Sequence, residues 1–163
     1  MIVVVSGVTG VGKSTVGRAL AEALGWEFYD ADDLHLPEDR EQMRRGEGLT
    51  DAQRQPWLER VRAVLVDVAG RGANAVVACS ALKRQYRDML AEGLASVRFV
   101  FLTAPPHVLR ARLEQRTGHF AGVPLLASQL ATVELPADGL VFDAALPVTT
   151  LVALIRERVT RSA

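Results

Sequence analysis

The chain is expected to fold as an α/β protein, with a parallel sheet covered by helices on both faces. Three observations lead there. Five short apolar runs, residues 2–6, 27–29, 75–79, 98–102 and 140–142, read as strands. Between them, apolar residues recur at helical spacing. A glycine-rich loop joins the first strand directly to a helix, and such sheets bind ligands at the carboxyl ends of their strands.

The first run, Ile2-Val3-Val4-Val5, is apolar without alternation, as suits a strand buried on both sides. Residues 7–14 then read Gly-Val-Thr-Gly-Val-Gly-Lys-Ser, which fits G-x-x-x-x-G-K-[ST] at every fixed position. Gly7, Gly10 and Gly12 lack a Cβ, so the backbone can curl around an anion and aim its N–H groups at phosphate oxygens. The loop backbone, including Thr9 and Val11, makes the cradle. Lys13 would reach the β- and γ-phosphates, and the Ser14 hydroxyl would ligate Mg²⁺. Thr15 either lies near the α-phosphate or faces solvent. The helix that follows carries Val16, Leu20, Ala23 and Leu24 on one side.

After the second strand comes Asp30-Ala31-Asp32-Asp33-Leu34-His35. Three carboxylates in four residues repel one another unless cations or hydroxyls join them. Asp32 is the candidate base, holding a substrate hydroxyl and accepting its proton. Helix capping is the competing role, above all for Asp33. His35 either bonds a polyol hydroxyl or packs as a neutral ring. Thr50-Asp51-Ala52-Gln53 fits a capping box, and Trp57, Val61, Val64, Leu65 and Val68 give that helix an apolar face ending at Gly70 and Gly72. Arg54, one turn in, offers a fork for a carboxylate or else a solvated helix charge.

The third strand runs into Cys79-Ser80, with a helix expected over 81–92 and Ser80 as its cap. Lys83 and Arg87 stand four apart, which is mildly unfavourable unless an anion lies between them; an exposed basic face is the alternative. Another helix starts near Pro105-Pro106 with Val108, Leu109 and Leu113. Arg110, Arg112 and Arg116 then precede Thr117-Gly118-His119-Phe120 and a helix at Pro124. This segment reads as a lid over about 116–124, whose arginines, Arg116 before Arg112, would neutralise the transferring phosphoryl group and exclude water. The last helix carries Leu151, Leu154, Ile155 and Val159 on one stripe. Residues 143–147 follow the last strand and could border a base.

With 163 residues the chain is read as one domain. Nineteen basic residues balance nineteen acidic ones, which argues against a nucleic-acid partner. No run reaches the length of a membrane span, and no signal-peptide pattern precedes the valines. The single cysteine, Cys79, allows no internal disulfide, so a cytoplasmic setting is expected, with a buried inert thiol.

Several segments, in order along most of the chain, resemble the small thermoresistant-type gluconokinases within the shikimate kinase-like P-loop kinases. They are residues 7–15 and 30–35; Met43 with Gly46-Glu47-Gly48-Leu49-Thr50-Asp51; Arg54-Gln55-Pro56-Trp57-Leu58; Cys79-Ser80-Ala81-Leu82-Lys83 with Tyr86-Arg87-Asp88; and Arg116-Thr117-Gly118-His119-Phe120 with Ser128-Gln129. The resemblance implies a three-layer P-loop kinase fold, with a five-stranded parallel sheet flanked by helices and a small lid. It implies ATP and Mg²⁺, phosphorylation of D-gluconate at its 6-hydroxyl, and often a homodimer. It puts gluconate near Asp32, His35, Arg54, Lys83 and Arg87, with Gln129 a further contact. Two positions depart from the family pattern: Asp39 stands where Asn is usual, and Gln42 where Lys is usual. Rival readings are a related kinase for another aldonic acid, for shikimate or for a nucleoside monophosphate, and a nucleotide-dependent switch module. A glycine cluster after the third strand would favour shikimate, a longer base-binding insertion a nucleoside monophosphate, and an N-K-x-D segment the switch module; the chain has Cys79-Ser80-Ala81 after the third strand, little length for such an insertion, and no N-K-x-D segment.

Overall fold

Val3, Val4 and Val5 are fully buried because β1 (Ile2–Ser6) is the central strand of the sheet. The computed structural model describes residues 1–116, 122–136 and 140–161. After β1 come β2 (Glu27–Asp30), β3 (Ala75–Ala78), β4 (Val97–Thr103) and β5 (Leu140–Asp143). The five strands are parallel, in the order β2-β3-β1-β4-β5. All five expected strands are present, within a residue or so at their ends.

Alternate side chains of β1 feed two cores. Val3 and Val5 join Val16 and Leu20 of α1 (Lys13–Leu24) and Leu151, Ile155 and Val159 of the C-terminal helix Val148–Arg161. Ile2 and Val4 join Trp57, Val61, Leu65 and Val68 of the long helix Asp51–Gly70, and Tyr86 and Leu90 of the helix Arg84–Ala91. A strand covered on both sides must be apolar throughout, which is why this run does not alternate. In chain order the helices after α1 are α2 (Pro37–Arg44), α3 (Asp51–Gly70), α4 (Arg84–Ala91), α5 (Pro106–Glu114), α6 (Val123–Thr132) and α7 (Val148–Arg161). No described helix is long and apolar enough to cross a membrane.

The capping box of α3 is formed in full: Thr50 Oγ1 accepts from Gln53 N–H at 3.2 Å, and Gln53 Oε1 accepts from Thr50 N–H at 2.9 Å. Leu154 is 39% exposed, so the buried stripe of α7 is narrower than its apolar spacing suggested. Helix α4 starts three residues later than expected. Its N-cap is Lys83, with no side-chain cap bond, so Ser80 does not cap it. The reason is the backbone at Ala81, whose φ of +37° no helix can hold. The stretch following β2 is a single 3-10 turn, Ala31–Leu34, capped by Asp30, before α2 begins.

Candidate active site

The carboxyl ends of the strands converge on one cavity. Its floor is the loop after β1, lined by Thr9, Gly10, Gly12, Lys13 and Ser14. Gly7, Gly10 and Gly12 take φ of +144°, +81° and +102°. At Gly7 a Cβ would lie 2.6 Å from the Leu102 carbonyl oxygen, so β4 allows only glycine there. Val11 turns inward and is 1% exposed, leaving its backbone for the cradle. Thr15 faces solvent. The left-handed Gly12 opens α1, whose N-terminal N–H groups meet the cavity and favour an anion. These residues fit a polyphosphate.

Lys13 Nζ donates to the Val8 carbonyl at 3.2 Å. Burial lowers its pKa, while the carboxylates of Asp32 and Asp30 pull it back up and Arg116 adds a smaller lowering.

The three carboxylates separate, because Asp30 is the last residue of β2 while Asp32 and Asp33 are successive residues of the 3-10 turn, which point about 120° apart. Asp30 turns to the P-loop: its Oδ2 accepts from Ser14 Oγ at 2.5 Å and its Oδ1 from Asp32 N–H at 3.1 Å. Asp33 is exposed. Asp32 lines the cavity with Lys13 and Ser80. Ser14 donates its proton to Asp30, which leaves oxygen lone pairs for a cation. Among the described residues no three His, Cys, Asp or Glu side chains gather for a metal, so its other ligands would be phosphate oxygens and water. Asp30 is the carboxylate whose bond to the P-loop sequence reasoning passed over. The signal was present: it is the last residue of its strand, level with Ala78, which pairs with Val5 just before the P-loop.

His35 and Arg54 form the opposite wall. His35 is 9% exposed and stacks on Trp57, rings 4.4 Å apart and 6° from parallel. Trp57 Nε1 in turn donates to the Ala31 carbonyl at 2.8 Å, fixing the 3-10 turn. Burial, aided by Arg54, Arg40 and Arg60, lowers the His35 pKa to about 3. It is therefore a neutral ring at physiological pH. Because its folded pKa lies below the ordinary 6.5, the unfolded chain takes up the proton first. Stability is full above about pH 6.5 and falls as pH drops toward the folded value. Between pH 6.5 and about pH 5 this group should cost roughly 2 kcal/mol. Urea unfolding of His35→Asn should show a correspondingly shallower loss than the native chain; parallel pH profiles would refute the assignment.

Arg54 is also 9% exposed. Its Nε donates to the Leu49 carbonyl at 3.2 Å, and its guanidinium stands 5.7 Å over the Tyr86 ring. This orientation leaves the terminal nitrogens for the cavity. The solvated alternative for Arg54 is therefore excluded by its burial.

Lys83 and Arg87, expected to flank an anion, are each bonded to other groups of the protein. Lys83 Nζ bonds Asp51 at 2.8 and 3.1 Å, and Asp51 also accepts from Tyr86 Oη. Arg87 is buried and donates to the Ala81 and Leu82 carbonyls at 3.0 and 3.1 Å. Neither lines the cavity. Their spacing on α4 was legible, but the acid that Lys83 meets is on α3, far away in sequence. Gln129 does line the cavity, and its Oε1 accepts from Thr9 N–H at 2.7 Å. It ties α6 to the P-loop.

Arg116 reaches the cavity from an exposed position at the end of α5, while Arg110 is exposed. Arg112 instead spans the Val11 and Ala144 carbonyls at 3.2 and 2.7 Å, joining the P-loop to the turn after β5. The expected lid at 116–124 lies largely outside the described residues, since 117–121 are not among them. The departures at Asp39 and Gln42 do not face the cavity. Gln42 Nε2 donates to the Gly48 carbonyl at 3.2 Å, and Gln53 Nε2 donates to Gln42 Oε1 at 2.9 Å, bracing the turn between α2 and α3. Burial pushes the Cys79 thiol up to about 12, so it is protonated and inert at neutral pH.

This arrangement has relatives. The family model described as shikimate kinase matches residues 9–135. Among curated proteins, a gluconokinase of Gluconobacter oxydans (strain 621H) is 46% identical over 135 residues, covering 83% of this chain and 76% of that one. The thermoresistant gluconokinase of Escherichia coli (strain K12) is 36% identical over 156 residues, covering 93% and 89%. The crystal structure of a gluconokinase from Sinorhizobium meliloti 1021 superposes with a TM-score of 0.87 at 42% identity, covering 99% of this chain and 92% of that chain. A P-loop, an acidic turn after the second strand and this degree of likeness lead to one conclusion: the chain belongs to the gluconokinase family, within the shikimate kinase-like P-loop kinases.

Proposed function

We propose that the protein transfers the γ-phosphoryl group of ATP to the 6-hydroxyl of D-gluconate, giving 6-phospho-D-gluconate and ADP. The observation that carries this reading is one cavity holding a partly buried P-loop lysine, a carboxylate and a buried arginine. Phosphoryl transfer needs little covalent help from the protein; it needs alignment and neutralised charge.

The loop of Gly7, Thr9, Gly10, Val11 and Gly12 cradles the phosphates through its N–H groups, and Lys13 holds the β- and γ-oxygens. Ser14, steadied by Asp30, is the side chain that would hold Mg²⁺, which when bound neutralises charge on those oxygens. Asp32 orients the acceptor hydroxyl and takes its proton as the oxygen bonds to phosphorus and the bond to ADP breaks. Arg116 meets the charge spread over the transferring group. Arg54 pairs with the gluconate carboxylate, and neutral His35 bonds a sugar hydroxyl. Gln129, bonded to Thr9, places its amide between the two substrates. Lys83 and Arg87 support the acceptor side through Asp51 and the turn before α4.

The chain acts as a single kinase domain over 1–163, as a cytoplasmic enzyme on a small molecule, with no nucleic acid or membrane involved. A homodimer is the assembly that the family resemblance implies, and sedimentation checks it directly.

ADP release measured over gluconate, other aldonic acids, shikimate and nucleoside monophosphates tests the activity. Strong release with gluconate alone is expected. Equal rates with several aldonates would remove the specificity, and no release with any acceptor would remove the reading. Arg54→Lys keeps the charge but loses the planar fork, so the KM for gluconate should rise on the order of tenfold or more. An unchanged KM would move the carboxylate elsewhere.

A further inference from the structure

Ala81 is the only non-glycine among the described residues with positive φ, at +37°. In that region an L-residue's Cβ crowds its own carbonyl, so the conformation persists only where its surroundings enforce it. Ala81 is wholly buried, so this is no loose surface turn. Both of its flanks are gripped. Gly7 N–H donates to the Ser80 carbonyl at 3.4 Å, and Glu134 N–H to the Leu82 carbonyl at 2.9 Å. Arg87 Nη1 reaches the Ala81 and Leu82 carbonyls together, and its guanidinium stands 6.0 Å over the Phe101 ring of β4.

The held turn sets Ser80 into the cavity wall beside Lys13, Asp32 and Arg54. Ser80 is 9% exposed and lines the cavity, so its side chain borders the space an acceptor would fill. A hydroxyl that an acceptor encloses there exchanges water for a direct hydrogen bond, and an unmatched partner is costly in such a site. β3 lies between β2, which carries the acidic turn, and β1, which carries the P-loop. Ser80 therefore stands where the acceptor meets the phosphates. A serine hydroxyl both donates and accepts, as does the hydroxyl of a polyol.

We propose that Ser80 determines acceptor specificity by hydrogen-bonding a hydroxyl of the polyhydroxy acid, and that Arg87 is a positioning residue acting through the strained turn. The proposal rests on the gluconate reading above. It gives Arg87 a role that spacing on α4 did not suggest, and gives Ser80 a role that helix capping does not fill.

Steady-state kinetics on the full chain decide it. Ser80→Ala should raise the KM for gluconate about tenfold, the loss of one hydrogen bond to a buried partner, with the KM for ATP within about twofold. Arg87→Lys cannot bridge both carbonyls and should raise the gluconate KM likewise. Adding Ala81→Gly to Arg87→Lys should recover much of that KM, because glycine holds positive φ without a clamp. A gluconate KM within about twofold in Ser80→Ala, or an equal rise in the KM for ATP, overturns the proposal. Ser80→Ala is a small change at a loop position, so it decides the matter even if Arg87→Lys is poorly folded. If the unmodified protein instead prefers another acceptor in the panel, the gluconate reading falls. The same Ser80→Ala test then applies to that acceptor's KM.

Discussion

Lys13→Ala is expected to lower kcat by about 10²- to 10³-fold while leaving the fold intact, the loss typical when one preorganised charge partner of a transition state is removed. The side chain is desolvated at the floor of the cavity, where burial lowers its pKa and the Asp32 and Asp30 carboxylates oppose that shift. Removing the side chain leaves the Asp32 and Asp30 carboxylates without this cation, so thermal melts of the variant without nucleotide should fall below the parent's while a cooperative transition persists. The stabilisation conferred by ATP should shrink, because bound ligand stabilises only in proportion to its affinity. Alanine at the first position of α1 is also a good helix former, so the helix itself has no reason to fray. Near-normal kcat in Lys13→Ala would contradict the placement of the phosphates on this loop.

Asp32→Asn should reduce kcat by about 10²- to 10⁴-fold, the range for a lost general base, with the KM for ATP little changed. The swap is nearly isosteric, and the turn that carries it is anchored elsewhere. Asp30 accepts the Asp32 backbone N–H, and Trp57 Nε1 donates to the Ala31 carbonyl. The side chain can thus lose its charge without moving its backbone. Asparagine can still hold the acceptor hydroxyl but cannot take its proton, so gluconate should bind while turnover falls. A variant impaired only in its KM for ATP would take Asp32 out of the base role. Asp30→Asn makes the useful contrast: it weakens the carboxylate that receives Ser14 Oγ, so it should raise the Mg²⁺ concentration needed for half-maximal rate.

The strands, the P-loop and the α3 cap were legible because each depends on neighbours in the chain. A β-branched run, glycines at fixed offsets and a reciprocal Thr50–Gln53 pair carry their geometry locally. The acidic turn was legible as a site, but its division of labour was not. That division needs Ser14, sixteen residues earlier, to claim Asp30 and leave Asp32 to the cavity. The protein partners of Lys83 and Arg87 were hidden for the same kind of reason. Helical spacing shows which residues share a face, yet Asp51, thirty-two residues before Lys83, captures the lysine, and the Ala81 turn captures the arginine.

Short-range order was thus written into the chain: strand, cradle and helix, and from them a phosphate-binding loop at the carboxyl edge of a parallel sheet. Which side chains face the cavity emerged only from packing. Arg54 is aimed by Leu49 and Tyr86, His35 is kept neutral against Trp57, and Ser80 is turned inward by a backbone that Arg87 helps to hold. The physical reason is range. Backbone preferences act over a few residues, whereas desolvation and hydrogen-bond capture depend on groups that meet only once the sheet has brought distant segments together.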